Sequence, residues 1–317
     1  MEYLWIVISI FAALMQAVRT AAQKTLNQRM SNLGTTYVRS VFGLPPMLAF
    51  LAFVLFLYGG AWPKMSAKYL LFTAGGAAAQ IFATMALIYM FKLRNFAIGT
   101  MLTKVDILLT AIIGTALFSE TLSTNGVFAL LVVVAGVLLM TVGRMGVGAL
   151  AGGSEGILAQ IFGRSTQVAF LCALLFTFSY LFLREALLTM EPADGFVVPE
   201  GIGAMFWRGG WTVVIATVMQ TVVVGTYLWF TERGVFREMQ ASARIGSFIG
   251  ATSAIGSIGW YTAFAMQNAS YVRAVGQIEV VFTLLIAWFY FRERITMLEL
   301  GGVGLTVAGI LMFRLMA

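Results

Sequence analysis

Ten stretches of about twenty apolar residues, each ended by a short polar or glycine-bearing turn, leave this chain very few folds to choose from. They run over 3–22, 36–58, 68–90, 95–118 and 125–143, and then over 166–188, 204–230, 245–266, 269–291 and 298–316. The turns carry residues that break helices: Asn32-Leu33-Gly34, Gly59-Gly60-Ala61-Trp62-Pro63, Ser123-Thr124-Asn125-Gly126 and Glu191-Pro192-Ala193-Asp194-Gly195. Of 317 residues, 60% are hydrophobic, and a helix that crosses the hydrocarbon core needs ~20 of them. Only 10% are charged, against about 25% in soluble domains. The expected fold is an all-α integral membrane protein with ten transmembrane helices. No basic residue precedes the first stretch, as a cleaved signal peptide requires, so 3–22 reads as a retained helix. Pro45-Pro46 falls inside the second span, where a kink is tolerated only if neighbouring helices receive the freed carbonyls.

The chemistry is narrowed by what is missing. The chain has no histidine and one cysteine, Cys172. Ser–His and Cys–His nucleophile pairs, histidine-ligated metals and cysteine clusters are thereby excluded. The glycines of 146–156 are followed by no Gly-Lys-Ser/Thr, so they form a linker rather than a phosphate cradle. No cofactor, metal or nucleic acid is expected.

The longest connection, the glycine-rich 144–165, divides the chain into two related halves, 1–143 and 166–317. Residues 84–144 slide onto 257–317 without a gap at an offset of 173. Asn95 then falls on Asn268, Asp106 on Glu279, Thr110 on Thr283, Phe118 on Phe291 and Glu120 on Glu293. Val134-Ala135-Gly136 falls on Val307-Ala308-Gly309. At slightly different offsets Arg19 matches Arg184 and Arg39 matches Arg208. Each half holds five spans, an odd number, so a copy must enter the membrane from the opposite side. The expected architecture is two inverted five-helix repeats, from which alternating access follows, with a binding site near the midplane.

The segments Ala97 through Glu120 to Gly136, and Ser270 through Glu293 to Gly309, resemble the end of the EamA repeat of the drug/metabolite transporter superfamily. The shared pattern is a small-residue helix, an aliphatic stretch, an Xaa-Glu turn and an apolar helix with a central glycine. The resemblance covers essentially the whole chain as two copies. It implies a ten-helix transporter whose cavity is lined mainly by the first, third, fourth, sixth, eighth and ninth helices. This chain departs from many relatives in carrying Lys104 with Asp106, and Gln277 with Glu279, where small residues or proline are common.

Within or at the ends of the spans lie Arg19, Arg39, Lys104, Arg184, Arg208 and Arg273, accompanied by Asp106, Glu185 and Glu279. A charged side chain at a helix centre costs about 2.5–3.5 kcal/mol on insertion scales. Such residues persist when they pair or line a wet cavity. Arg39 and Arg208, near helix ends, can snorkel or clamp a helix terminus. Asp106 and Glu279 sit too deep for that. By helical spacing, Thr103, Asp106 and Thr110 share one face and Thr100 and Lys104 another; Gly276, Glu279 and Thr283 repeat the first, Arg273 and Gln277 the second. A carboxylate beside a removable cation can hold a proton in one state and an ion pair in the next. Candidate substrate or coupling residues are therefore Asp106, Glu279, Lys104, Arg273, Arg19, Arg184, Gln277, Gln80, Trp260 and Tyr261. Glu120 and Glu293 are expected to cap the helix that follows each of them. The ladder Gly246, Gly250 and Ala254 is expected to pack helices closely, and 231–244 to form a surface helix.

The expectation for function is a secondary active transporter, an exporter of a small anionic or zwitterionic metabolite such as an amino acid or organic acid, with proton coupling. It is not expected to be an enzyme. The alternatives are export of organic cations held by an aromatic cage at Trp260 and Tyr261, and a channel or lipid scramblase. The partners in view are the substrate, the lipid bilayer, a proton and a second copy of the chain, at the inner (plasma) membrane.

Orientation follows from the basic residues. Loops after odd-numbered spans hold Lys24, Arg29, Lys92, Arg94, Arg144, Arg164, Arg233, Arg237, Arg244, Arg292 and Arg294; the other side holds Lys64, Lys68 and Arg314. The positive-inside bias then puts both termini outside, although the resemblance implies cytoplasmic termini. An alkaline phosphatase fusion at Ala317 should be active and a green fluorescent fusion dark. A fluorescent, phosphatase-inactive pair would reverse the orientation.

Overall fold

The computed structural model describes residues 3–26, 29–91, 103–145, 164–289, 292 and 295–315. Most of the 144–165 linker lies outside them, as do Lys92, Arg94, Asn95, Thr100, Glu293, Arg294 and Ala317. Among the described residues there is no strand, only an isolated bridge between Pro63 and Pro192. The helices are α1 Leu4–Leu26, α2 Asn32–Tyr58, α3 Ala67–Phe91, α4 Asp106–Leu117, α5 Thr124–Met145 and α6 Arg164–Thr189. They continue with α7 Ile202–Thr231, α8 Gly234–Ala241, α9 Ala243–Met266, α10 Ala269–Gly276, α11 Ile278–Phe289 and α12 Met297–Leu315. Among the described residues, seven segments are long and apolar enough to cross a membrane: α1, α2, α3, α5, α6, α7 and the combined 269–286. The outward faces are apolar too, with Phe56 85% and Phe230 75% exposed. That exterior suits hydrocarbon rather than water.

Local chemistry sets the helix starts. Ser31 accepts from Gly34 N–H at 3.0 Å, Ser66 from Tyr69 N–H at 3.2 Å and Ser123 from Gly126 N–H at 3.0 Å. At α12, Thr296 and Glu299 form a reciprocal capping box: Thr296 N–H donates to Glu299 at 2.7 Å and Glu299 N–H to Thr296 at 3.2 Å. α8 is the short, exposed segment expected within 231–244.

The chain forms two compact units, Met1–Ile81 with Leu181–Gln267, and Phe82–Tyr180 with Asn268–Ala317. Each takes residues from both sides of the 144–165 linker, and the divisions fall within α3 and α6. In the first unit α2 packs on α7 and α9, and α1 on α9. Tyr58 lies at Gly203, Leu51 at Gly210 and Tyr37 at Gly225, so α2 and α7 are antiparallel. Helix α2 continues through Pro45 and Pro46. Gly250 of α9 packs against the carbonyl of Phe42, one that Pro46 leaves without its usual donor. Loops 59–66 and 190–196 are laced together at one end of this unit. Lys64 N–H donates to Glu191 O at 2.8 Å, Ala193 N–H to Trp62 O at 2.7 Å and the Trp207 indole to Ala61 O at 2.8 Å.

In the second unit the main contact is α5 against α12. A Cβ on Gly136 would meet Thr306 N at 2.6 Å and Gly302 O at 2.8 Å; one on Gly309 would meet Val133 N at 2.8 Å and Ala129 O at 3.0 Å. As one residue number rises the other falls, so the two helices are antiparallel. The pairs also exchange under the offset of 173, since Gly136 matches Gly309, Val133 matches Thr306 and Ala129 matches Gly302. The same offset relates Ser119 (φ 53°) to Arg292 (φ 55°), the described non-glycine residues with positive φ.

Close backbone approach makes Gly136 irreplaceable, whereas Gly304 on the same helix pair has nothing within 4 Å of its missing Cβ. Gly136→Ala should cost about 1–3 kcal/mol through overpacking, read as a lower melting temperature in detergent. Gly304→Ala should be neutral or stabilising, because alanine favours a helix by ~1 kcal/mol. Equal responses would show that the contact is not close.

Candidate functional site

The helix expected to run unbroken over 269–291 is interrupted. α10 ends at Gly276, Gln277 is in a turn, and α11 begins at Ile278. Gln277 N–H reaches back three residues rather than four, to Ala274 O at 3.1 Å, tightening the last turn. In the first half Thr103 is helical, Lys104 and Val105 form a turn, and α4 starts at Asp106. Lys104 and Gln277 are 173 residues apart, so the interruptions fall at matching positions. Each puts a carboxylate in the first turn of the helix after it: Asp106 in α4 and Glu279 in α11. The positive end of a helix dipole favours a negative charge there.

Around these interruptions the second unit gathers a buried polar cluster. Arg273 Nη2 donates to Asp106 Oδ2 at 3.0 Å, with the two side chains 10% and 6% exposed. The guanidinium stacks over the Tyr180 ring, 4.2 Å from its centroid. Glu279 lies within electrostatic range of the same guanidinium and of Tyr180. Thr110 and Thr177 both donate to the Asp106 main-chain carbonyl, at 2.6 and 3.2 Å. Gln277 Nε2 donates to Arg273 O at 3.5 Å. Two acceptors stay unfilled: Asp106 Oδ1 and Gln277 Oε1 are buried without a hydrogen-bond partner. Lys104 is half-buried in the turn, with no carboxylate within ion-pairing distance among the described residues.

One sequence expectation needs correcting at the edge of this cluster. Glu120 is buried and does cap a helix, but not the next one. Its carboxylate accepts from Ala269 N–H at 2.6 Å and from Ser270 Oγ at 2.5 Å, at the start of α10. The helix that follows Glu120, α5, is capped by Ser123 instead. The cap therefore ties α10, which carries Arg273, to the turn after α4.

The remaining candidates lie in the first unit. Trp260 donates its indole N–H to Gln16 Oε1 at 3.0 Å and stacks with Phe264. Tyr261 is buried, and Arg39 lies within electrostatic range of it and of Arg19. Gln80 accepts from Gln220 Nε2 at 2.5 Å. Arg184 donates to the carbonyl of Gln267, the C-cap of α9, at 3.1 Å. Arg208 donates to Leu187 O at 3.1 Å in the last turn of α6, the helix-end clamp foreseen for it.

Tyr180 and Thr177 were not among the sequence candidates. They come from α6, outside the 84–144 register that paired the carboxylates, so no spacing pointed to them. The only available signal was Arg273 itself, whose planar cation favours an aromatic face.

No protein-family model matches this sequence, and no curated protein does. Twenty-seven chains of known structure match. One of them, described only as "Crystal structure of protein", covers 99% of this chain and 99% of its own at a TM-score of 0.69 and 15% identity. That likeness is one of fold alone.

Removing one partner of a buried ion pair costs about 3–5 kcal/mol, while replacing both with apolar residues is often neutral. Asp106→Ala should therefore lower the melting temperature markedly. Asp106→Leu combined with Arg273→Met should recover more than half of the loss. A double variant no better than the single one would show that the two residues act separately.

Proposed function

We propose that this chain is a secondary active transporter of small zwitterionic or anionic metabolites, built as two inverted five-helix repeats in a plasma membrane and working by alternating access. The observation that carries the reading is the buried Asp106–Arg273 pair, set beside matched helix interruptions at Lys104 and Gln277. Discontinuous helices that expose helix ends to a ligand are a recurring construction in secondary transporters. The repeat reading is supported by α5 and α12, equivalent under the offset of 173 and antiparallel to each other, as a copy entering from the opposite side would be. The count of ten spans takes α10 and α11 as one broken span and α4 as the end of another.

The chemistry favours an exchange of partners. A substrate carboxylate competes with Asp106 for the Arg273 fork of donors. Asp106, released, takes up a proton or the substrate's ammonium group. An ammonium N–H also satisfies Asp106 Oδ1 and Gln277 Oε1, the two acceptors left unfilled. A quaternary ammonium has no N–H to offer them, which disfavours the organic-cation alternative. The aromatic cage foreseen at Trp260 is further weakened by the bond of its indole to Gln16. Apart from the proton carried by Asp106, the cycle leaves every covalent bond of the substrate unchanged, so this reading is of a transporter and not of an enzyme.

Ligand binding raises stability by mass action, so a melting screen against amino acids, organic acids, phosphates and quaternary amines should find its hits among the first two classes. In proteoliposomes a hit should accumulate under an imposed pH gradient and leak out with an uncoupler. Asp106→Asn and Glu279→Gln, close in volume to the originals, should fold and lose that accumulation. Normal transport by both variants across a range of pH, or hits confined to quaternary amines, would overturn the reading.

A further inference from the structure

The first unit holds a cavity of about 640 Å³ where α1 ends and α9 begins. Its polar lining is Arg29, Ser242 and Arg244; its apolar lining is Ala22, Leu26, Ile245 and Phe248. Ser242 stands at the N-cap position of α9, a helix of 24 residues, yet its side chain makes no capping bond. Its hydroxyl is buried, 4% exposed, and has no hydrogen-bond partner. A buried hydroxyl without a partner is costly unless something fills it. Arg29 and Arg244 are exposed, and among the described residues neither has a carboxylate within ion-pairing distance. The positive end of the α9 dipole opens at the same place.

We infer that this cavity binds an anionic phospholipid, its phosphate held by Arg29, Arg244, the Ser242 hydroxyl and the start of α9, and its net negative charge offset by the two guanidiniums. Two guanidiniums, a free hydroxyl and a helix N-terminus together recognise a phosphate oxygen cluster. The apolar floor selects the source. A free phosphate gains nothing from the half-buried Ile245 and the exposed Phe248, whereas an acyl chain descending beside the headgroup buries against both. Arg29, just past α1, and Arg244, in the first turn of α9, lie on the side where the sequence places most of the basic residues, the side on which anionic headgroups attract them. The inference rests on the membrane reading above but not on the transport cycle.

The test uses the full chain purified in neutral detergent. It is titrated with phosphatidylglycerol, phosphatidylcholine or inorganic phosphate, with melting temperature and native mass spectrometry as readouts. Phosphatidylglycerol should raise the melting temperature and remain bound as one copy, at concentrations where the other two do neither. R29Q/R244Q should weaken its apparent affinity by about tenfold or more, and S242A by a smaller factor, with the unliganded melting temperature little changed by R29Q/R244Q. Wild-type affinity in R29Q/R244Q would overturn the assignment. Phosphatidylcholine carries the same phosphodiester with its charge cancelled by choline, so an equal response to it would show that the net negative charge is not read, and an equal response to inorganic phosphate would mark a soluble-anion site; either overturns the assignment. None of these readouts depends on transport, so a failure here is separate from a failure of the transporter reading.

Discussion

Backbone polar groups with no water to turn to are the constraint on which the rest of this structure depends. In hydrocarbon each N–H and C=O must find a partner within the protein, and the described chain is accordingly helix after helix. Side-chain hydroxyls follow the same rule. Thr36, Ser40, Thr73, Thr141 and Thr306 each donate to the carbonyl four residues back, which hides the hydroxyl within its own helix. Interruption of a helix is therefore expensive, and tolerated only where protein surrounds it. At Gln277 the surroundings meet that condition, since the side chain is 2% exposed and its amide reaches Arg273 O.

The ion pair is governed by the same lack of water. Neither Asp106 nor Arg273 could be buried alone, because an isolated charge in a low-dielectric interior costs several kcal/mol or more. Together, with Tyr180 under the guanidinium and Glu279 nearby, they form a group whose members constrain one another. The helix start at Asp106 adds dipole stabilisation, and the Glu120 cap on α10 fixes the helix that presents Arg273. Under the proposed function, a ligand charge entering such a group would redistribute its existing pairings.

Much of this was legible before any coordinates. Outside 95–118 and 269–291, apolar runs and turn residues gave the described helix positions to within a few residues, because span length is a property of the bilayer and turns are a property of glycine, proline, asparagine and serine. The register of 173 brought Asp106 and Glu279 to notice, and their depth within apolar runs marked them as unusual. Arg208 as a helix-end clamp was readable from its place near a terminus. Less could be read of contacts between distant segments. Glu120 capping α10 and Tyr180 beneath Arg273 join residues 149 and 93 positions apart, and no local pattern encodes such a distance.

The sequence by itself determined that the chain is helical, that it suits a membrane, and where its few deep charges lie, since each of these follows from local composition and period. Only the tertiary structure decided which charge meets which, that the helical run is interrupted just before α4 and between α10 and α11, and that each compact unit is assembled from both halves of the chain. The physical reason is that helix formation depends on neighbours within four residues, whereas pairing and close packing depend on backbone approach between segments. At Gly136 and Gly302 that approach is set by the absence of a Cβ, and its partner is known only once the helices are in place.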